Sequence, residues 1–467
     1  MLSEMEYKTK EDVFNKAQII LDKSLRDIIV SEEEIGALEK EIFGYGNKRK
    51  GLLGELVEWH VFGKKPDSRS EADFNIAGVE LKTNPIKKHS TKKYVSKERL
   101  VFSMIDYDKV VEEKWESSSF LKKNSLLLLM LYLFTKEEGI LDYKFKFIHL
   151  LDLLKDISAQ DVEQIRKDWE FIVAKIGRGE AHLLSEADTY YLGACTKAKN
   201  SSVVRDQPLA RIPAKPRAFS LKQTYINYLI QTRLLGKKDD SVSLYTKVDV
   251  KKTVEEVIAS KFKKYLGKTD MEILSMIDWE IKIKPKNYKR LLVNRILTGK
   301  GSNNIEELEK ANIEMRVVTL EQTGTLKESL SFPAFDYKDL VTQVWYDEAG
   351  ERMSDFHAML EMKKFLFVVF RKSKDDDDIT LEKVVFWNFP MSDLKEAESV
   401  FEKTQKCIKE GRYDNLPKSS ENRVAHVRPH GRDGKDTLMT PQGTQEVKRC
   451  FWLNAKYIQN ALEETPN

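Results

Sequence analysis

Apolar residues recur at helical spacing near the start of the chain, where Val13, Ala17, Ile20, Ser24-Leu25 and Ile28 predict one continuous helical stretch. A second such stretch runs from about Lys50 to Phe62 and is halted by Gly63-Lys64-Lys65-Pro66, where glycine and proline break the pattern. Beyond a polar loop the period shortens. Asp73-Phe74, then Val79 to Thr83 after an Asn75-to-Gly78 turn, Leu100 to Ile105, and Ser125 to Phe134 all read as strands. Helices leading into short strands predict an α+β unit, a mixed β-sheet flanked by helices.

The pattern then repeats. Near Gly236 the apolar periodicity lapses into Lys237-Lys238-Asp239-Asp240-Ser241, a polar stretch that suits a linker. Past it, Arg449-Cys450-Phe451-Trp452-Leu453 with Tyr457-Ile458 matches Arg217-Ala218-Phe219-Ser220-Leu221 with Tyr225-Ile226 at an offset of 232. Ile176 with Ile408 and Gly179 with Gly411 keep that offset. Leu100, Phe102, Asp106, Tyr107 and Trp115 match Leu330, Phe332, Asp336, Tyr337 and Trp345 at an offset of 230. Collinear offsets that drift by a residue or two are what small loop indels produce, so the chain reads as two copies of one fold. The expected domains are 1–236 and 245–467.

Composition narrows the function classes. Of 467 residues, 79 are basic and 75 acidic, a formal charge of +4, so any nucleic-acid site must be a local patch rather than a global field. Cys195, Cys407 and Cys450 show no CxxC pairing and suit neither a disulfide framework nor a zinc site. Seven histidines show neither an HxxxH helix nor an HNH-like cluster, and no serine sits in a GxSxG elbow. The first residues carry acids where a signal peptide needs an apolar run, and Leu126 to Phe134 is too short to span a bilayer. The expectation is a soluble cytoplasmic protein with no membrane partner.

One constellation carries chemistry. Asp73 precedes Glu80 by seven residues, and Glu80 precedes Lys82 by two. Residues i and i+2 of a strand face one side, so Glu80 and Lys82 project together while Val79 and Leu81 point to the core. The Asn75–Gly78 turn can fold Asp73 back beside Glu80. Two carboxylates suit a hard cation, and a lysine beside them can orient a water and steady charge on a phosphate, which together make a Mg2+ site for phosphodiester hydrolysis. Glu58 on the preceding helix is the candidate third carboxylate. With 75 acids and 79 bases, such a triple at fixed spacing arises by chance about twice in a chain of this length, so its context must decide.

That context is a resemblance. Lys50-Gly-Leu-Leu-Gly54-Glu-Leu-Val-Glu58, Ala72-Asp73-Phe74, Gly78-Val-Glu80-Leu-Lys82-Thr83, Lys97-Glu98-Arg99-Leu100-Val101-Phe102, Arg166-Lys-Asp168-Trp169-Glu170 and Arg217-Ala-Phe219-Ser-Leu221-Lys222 resemble, in order, blocks of the MutH family of GATC endonucleases. The likeness runs over roughly residues 10 to 230. A tandem of two such copies resembles the GATC restriction endonucleases of the Sau-three-A type more than the single-domain repair enzyme. The resemblance implies Asp73, Glu80 and Lys82 as catalytic residues and Glu58 as an auxiliary metal-side acid. It also implies Lys50 and Lys123, or Lys122, as phosphate-facing bases.

In the family a loop near an Arg-Pro dipeptide, just upstream of the closing block, reads the bases. The first copy departs from it with Cys195-Thr196-Lys197, leaving Lys197 and Asn200 as candidates for guanine and adenine edges. The second copy keeps His426-Val427-Arg428-Pro429-His430, which makes Arg428 and His430 its candidates. There Glu307, Glu314 and Arg316 align with Asp73, Glu80 and Lys82 at an offset of 234, and Asn294 roughly replaces Glu58. Glu can still bind metal, but a guanidinium cannot place a water as an ammonium does, so the second copy is expected to bind DNA without cutting it. The expected partners are double-stranded DNA containing GATC, a transient second molecule on that DNA, and a cognate GATC methyltransferase. A mismatch-repair nickase and a catalytically silent DNA-binding protein are the alternatives.

Overall fold

The structure, a computed structural model, describes residues 7–45, 51–66, 71–197, 202–237, 241–246, 248–249, 251–281, 283–346, 354–373 and 378–465. Lys50 and Asn200 lie outside these. The chain divides into two compact units, residues 1–173 with 218–240 and residues 174–217 with 241–467.

In the first unit, α1 (Lys10–Ala17) starts at a capping box in which Thr9 and Asp12 satisfy each other's backbone N–H groups. The continuous helix expected through Ile28 does not form. After a single 3-10 turn at Gln18–Ile20, Asp22 adopts φ 60° and the chain breaks away. The Ser24 amide and hydroxyl then both bond Asp27 (2.8 and 3.0 Å), a local alternative that competes with helix. Helix α2 (Glu32–Tyr45) follows, and α3 (Leu52–His60) begins after Gly51 at φ 91°.

The sheet is mixed, as the pattern predicts. Strand β1 (Glu80–His89) runs parallel to β4 (Leu126–Leu133), which runs antiparallel to β5 (Phe145–Asp152). On its other side β1 pairs antiparallel with β2 (Lys93–Ser96), but only from Ile86 onward. The first six residues of β1, including Pro85, therefore have a ladder on one side only, where a missing proline N–H costs nothing. Leu128 and Met130 of β4 and Leu52, Leu53, Leu56 and Val57 of α3 meet in one buried cluster with Val79 and Leu81. Each such side chain taken fully from water contributes about 1.5–3 kcal/mol. A separate antiparallel pair joins β3 (Leu100–Met104) to β6 (Arg217–Leu221), with Leu100 opposite Leu221.

The second unit rebuilds the same pattern. Strand β7 (Ile313–Leu320) is parallel to β9 (Lys364–Lys372), which is antiparallel to β10 (Ile379–Asn388). Between β7 and β9 in sequence lie β8 (Leu330–Ser331) and helix α4 (Asp355–Glu361). Strand β12 (Arg449–Leu453) pairs with β8, with Leu330 opposite Leu453, and with β11 (Ala425–Pro429). The pair Leu330–Leu453 is the pair Leu100–Leu221 carried forward by the two offsets. Asp106 and Asp336 each cap a four-residue helix, and Gly179 and Gly411 each adopt a left-handed conformation (φ 74° and 69°) just past a long helix.

Cys195, Cys407 and Cys450 are buried and unbridged. Among the described residues no helix is long and apolar enough to cross a membrane.

Candidate active site

Helix α3 meets β1 at Gly54, where a Cβ would lie 3.4 Å from Thr83 Oγ1. The small residue lets the helix lie close to the strand, with Glu58 one turn further along it. Asp73 arrives by the tight turn. Phe74 and Val79 exchange backbone bonds of 2.9 and 3.2 Å, the Gly78 N–H reaches Asn75 O at 3.3 Å, and Gly78 takes φ 67°, which glycine adopts without strain. The hairpin locks Asp73 against β1 from both directions. The Asp73 N–H donates to Glu80 Oε2 (3.1 Å), and the Leu81 N–H donates to Asp73 Oδ2 (2.9 Å).

Glu80 is only 2% exposed. Lys82 Nζ donates to its Oε1 at 2.7 Å, and Lys123 Nζ stands 3.9 Å from the same oxygen. Burial raises the Glu80 pKa; the two lysines oppose that rise, while the Asp73 charge adds to it. A carboxylate buried beside another carboxylate needs positive charge to remain ionised, and two lysines are already supplied.

The residues present fit a divalent cation. Asp73 and Glu80 offer hard oxygen ligands at one point, leaving positions for water and phosphate. Among the described residues no three His, Cys, Asp or Glu side chains gather as a metal centre, so the acidic part of the site is this pair. Glu58 is half-buried and pairs with Lys64 Nζ at 3.4 Å. Lys122 is exposed on the surface, whereas Lys123 is brought to Glu80. Lys197 is half-buried just past the strand Leu192–Thr196, its N–H donating to Pro216 O at 2.9 Å.

The aligned residues of the second copy are put to other uses. Glu307 does not sit in an extended turn like Asp73 but in a short helix, Glu306–Lys310, 1% exposed. Its carboxylate accepts from Ser243 Oγ (2.5 Å) and from the Leu244 N–H (2.9 Å), and burial raises its pKa. Each of its oxygens thus accepts a bond from the Ser243–Leu244 segment. Glu314 is held by Arg316 and by Lys363 (2.5 Å), and Arg316 also donates to Ser331 O at 2.8 Å. Asn294 is fully buried and donates to Asn303 Oδ1 at 2.6 Å.

Arg428 and His430 lie exposed at the end of β11. The Arg428 guanidinium stacks 4.4 Å from the centre of the Trp452 ring, and the His430 ring meets the same indole edge-on at 5.4 Å. Sequence reasoning missed Trp452, Lys64 and Lys363. Only strand pairing finds Trp452, since His426 and Trp452 stand opposite each other on β11 and β12.

The family model described as DNA mismatch repair enzyme MutH matches residues 62–168, a span that holds Asp73, Glu80, Lys82 and Lys123. The DNA mismatch repair protein MutH of Pasteurella multocida is 26% identical over 192 residues, 40% of this chain and 82% of that protein. That of Escherichia coli O6:K15:H31 is 27% identical over 207 residues, 43% of this chain and 86% of that protein. The type II restriction enzyme Sau3AI of Staphylococcus aureus is 31% identical over 502 aligned residues, which cover 98% of this chain and 99% of that protein. Likeness to the repair proteins stops at a single copy of the fold, whereas likeness to Sau3AI spans both copies. The chain therefore belongs to the Sau3AI family of type II restriction enzymes, site-specific deoxyribonucleases with a MutH-like nuclease domain, and acts on double-stranded DNA.

Proposed function

We propose that the first copy makes a Mg2+-dependent double-strand cut at GATC, 5′ of the G, and that the second copy binds GATC without cutting and promotes the cut. The catalytic module is 1–236 and the effector module 245–467. The observation that carries the reading is the contrast between two aligned sites. Glu80 accepts from the Asp73 N–H and from Lys82 Nζ at 2.7 Å, and Asp73 accepts from the Leu81 N–H, while Glu307 is tied to Ser243 and Leu244.

A divalent cation supplies charge neutralisation and a more acidic water. Asp73 and Glu80 would hold it through oxygen. Lys82 brings an ammonium to the same point, where it orients the attacking water and offsets the charge that grows on the phosphate. Lys123 adds a second positive charge on the phosphate side, and the MutH resemblance gives Lys50 a phosphate-facing role as well. Glu58, paired with Lys64, is the auxiliary acid that the MutH resemblance implies. One site cuts one strand, so two molecules meet transiently on the DNA. The specificity follows from the MutH resemblance, with Lys197 and Asn200 reading bases in the first copy and Arg428 and His430 in the second. Such an enzyme works in the bacterial cytoplasm and requires a cognate GATC methyltransferase.

Plasmids carrying one or several GATC sites test this with Mg2+. Linear fragments with ends at GATC are expected, and open circles alone would favour the repair-type nickase. Ca2+ in place of Mg2+ is expected to support binding without hydrolysis, since its looser geometry positions water poorly.

A further inference from the structure

Residues 174–217 include the first copy's candidate base-reading stretch, yet they pack as one unit with the second copy. Both ends of that stretch are pinned by buried polar contacts. Upstream, Lys364, the first residue of β9 and 5% exposed, donates from Nζ to Asp188 O (3.3 Å) and to Asn388 Oδ1 (3.0 Å). Asn388 Nδ2 in turn donates to Asp188 Oδ1 at 3.3 Å. Downstream, the guanidinium of Arg217 donates to Ala194 O (2.7 Å) and lies 3.9 Å from Glu361 at the end of α4. Arg217 is 3% and Glu361 6% exposed. Ala194 precedes Lys197 by three residues, and the Lys197 N–H is bonded to Pro216, the neighbour of Arg217.

An adhesive contact would be served as well or better by apolar side chains, because burying ions costs more than burying hydrocarbon. Directional bonds fix geometry instead. We propose that Glu361 and Lys364, which belong to the copy without a cutting site, are positioning residues for the first copy's sequence reading. They hold the strand Leu192–Thr196 and Lys197 in the register that tells GATC from near-cognate sites. The inference rests on the reading of Lys197 as a base-contacting residue.

The experiment uses the full-length protein with a GATC duplex and duplexes in which one base pair of GATC is changed. The readout is the ratio of single-turnover cleavage on the two. Three variants are compared: Lys197→Ala, the double Arg217→Met/Glu361→Gln, which removes both charges of the pair and leaves a polar side chain for buried His357, 3.1 Å from Glu361, and Lys364→Met. Thermal unfolding checks that each is folded. All three are expected to lower the ratio by roughly tenfold or more, the range of one good base contact, while the rate at saturating GATC falls less. Should the double variant fail to fold, Lys364→Met carries the same test. A ratio that drops for Lys197→Ala but stays put in the folded positioning variants overturns the inference and leaves the base-reading assignment standing. A ratio unmoved by Lys197→Ala removes that assignment and the inference with it.

Discussion

A carboxylate's role is set by what surrounds it, and Glu80 and Glu307 show this within one chain. Both are buried with raised pKa values, but Glu80 faces Asp73 and two lysines, whereas Glu307 is consumed by a loop. Lys82→Ala and Lys82→Arg are both expected to slow single-turnover cleavage by at least about a hundredfold, because a planar guanidinium cannot replace the ammonium that handles water. DNA binding in Ca2+ is expected to change only a few-fold; full rescue by Arg would contradict the role. Glu307 makes a pH prediction. It is protonated in both states below its ordinary value of 4.5, and folding loses stability as pH rises from there through the raised folded pKa. Glu307→Gln keeps an oxygen acceptor without the charge, so it is expected to raise the melting temperature at neutral pH and not below pH ~4; equal gains at both would be inconsistent. The Asp73, Glu80, Lys82 spacing was legible in the sequence because it is local. Lys123 beside Glu80 rested on resemblance alone, since 43 residues separate them and only the β1–β4 pairing closes the gap.

At the scale of elements, the Glu80 end of β1 has a strand partner on one side only, so what touches it matters. Gly54 sets the distance of α3, and its nearest non-local neighbour is Thr83. Gly54→Ala is expected to be tolerated, whereas Gly54→Leu pushes α3 from the strand and is expected to reduce cleavage more than DNA binding, checked by comparing the rate with Ca2+-supported binding. Two residues beyond Lys82, Asn84 Nδ2 donates to the buried Ser96 Oγ at 2.8 Å, and the Ser96 N–H donates to Asn227 Oδ1 at 2.6 Å. Asn84→Ala is expected to cost about 1–3 kcal/mol in denaturant unfolding, and no change would show the bond to be replaceable by water. Strands were read from the pattern more faithfully than the first helix. Alternation reports which face is buried, but Ser24 and Asp27 offered the backbone local partners, and an apolar period cannot reveal that competition.

For the whole molecule, the tandem repeat was the most legible feature, because residues paired across β3–β6 and β8–β12 recur at constant offsets. What the offsets could not reveal is that an aligned residue changes its setting. Glu307 lies in a helix where Asp73 lies in a turn, and residues 174–217 fall in the second compact unit. If the second copy is an effector, a short uncleavable GATC duplex is expected to speed cutting of a one-site plasmid, and Arg428→Ala to abolish that gain. Equal acceleration by a scrambled duplex at the same salt would contradict it. If all cutting is done at Asp73, Glu80 and Lys82 of the first copy, the sharpest test is single-turnover cleavage of a GATC duplex by Glu80→Gln and by Glu314→Gln, each saturating the DNA. No cleavage is expected from the first variant and an unchanged chemical rate from the second; cutting that survives in Glu80→Gln, or is lost in a folded, DNA-bound Glu314→Gln, would place the chemistry elsewhere.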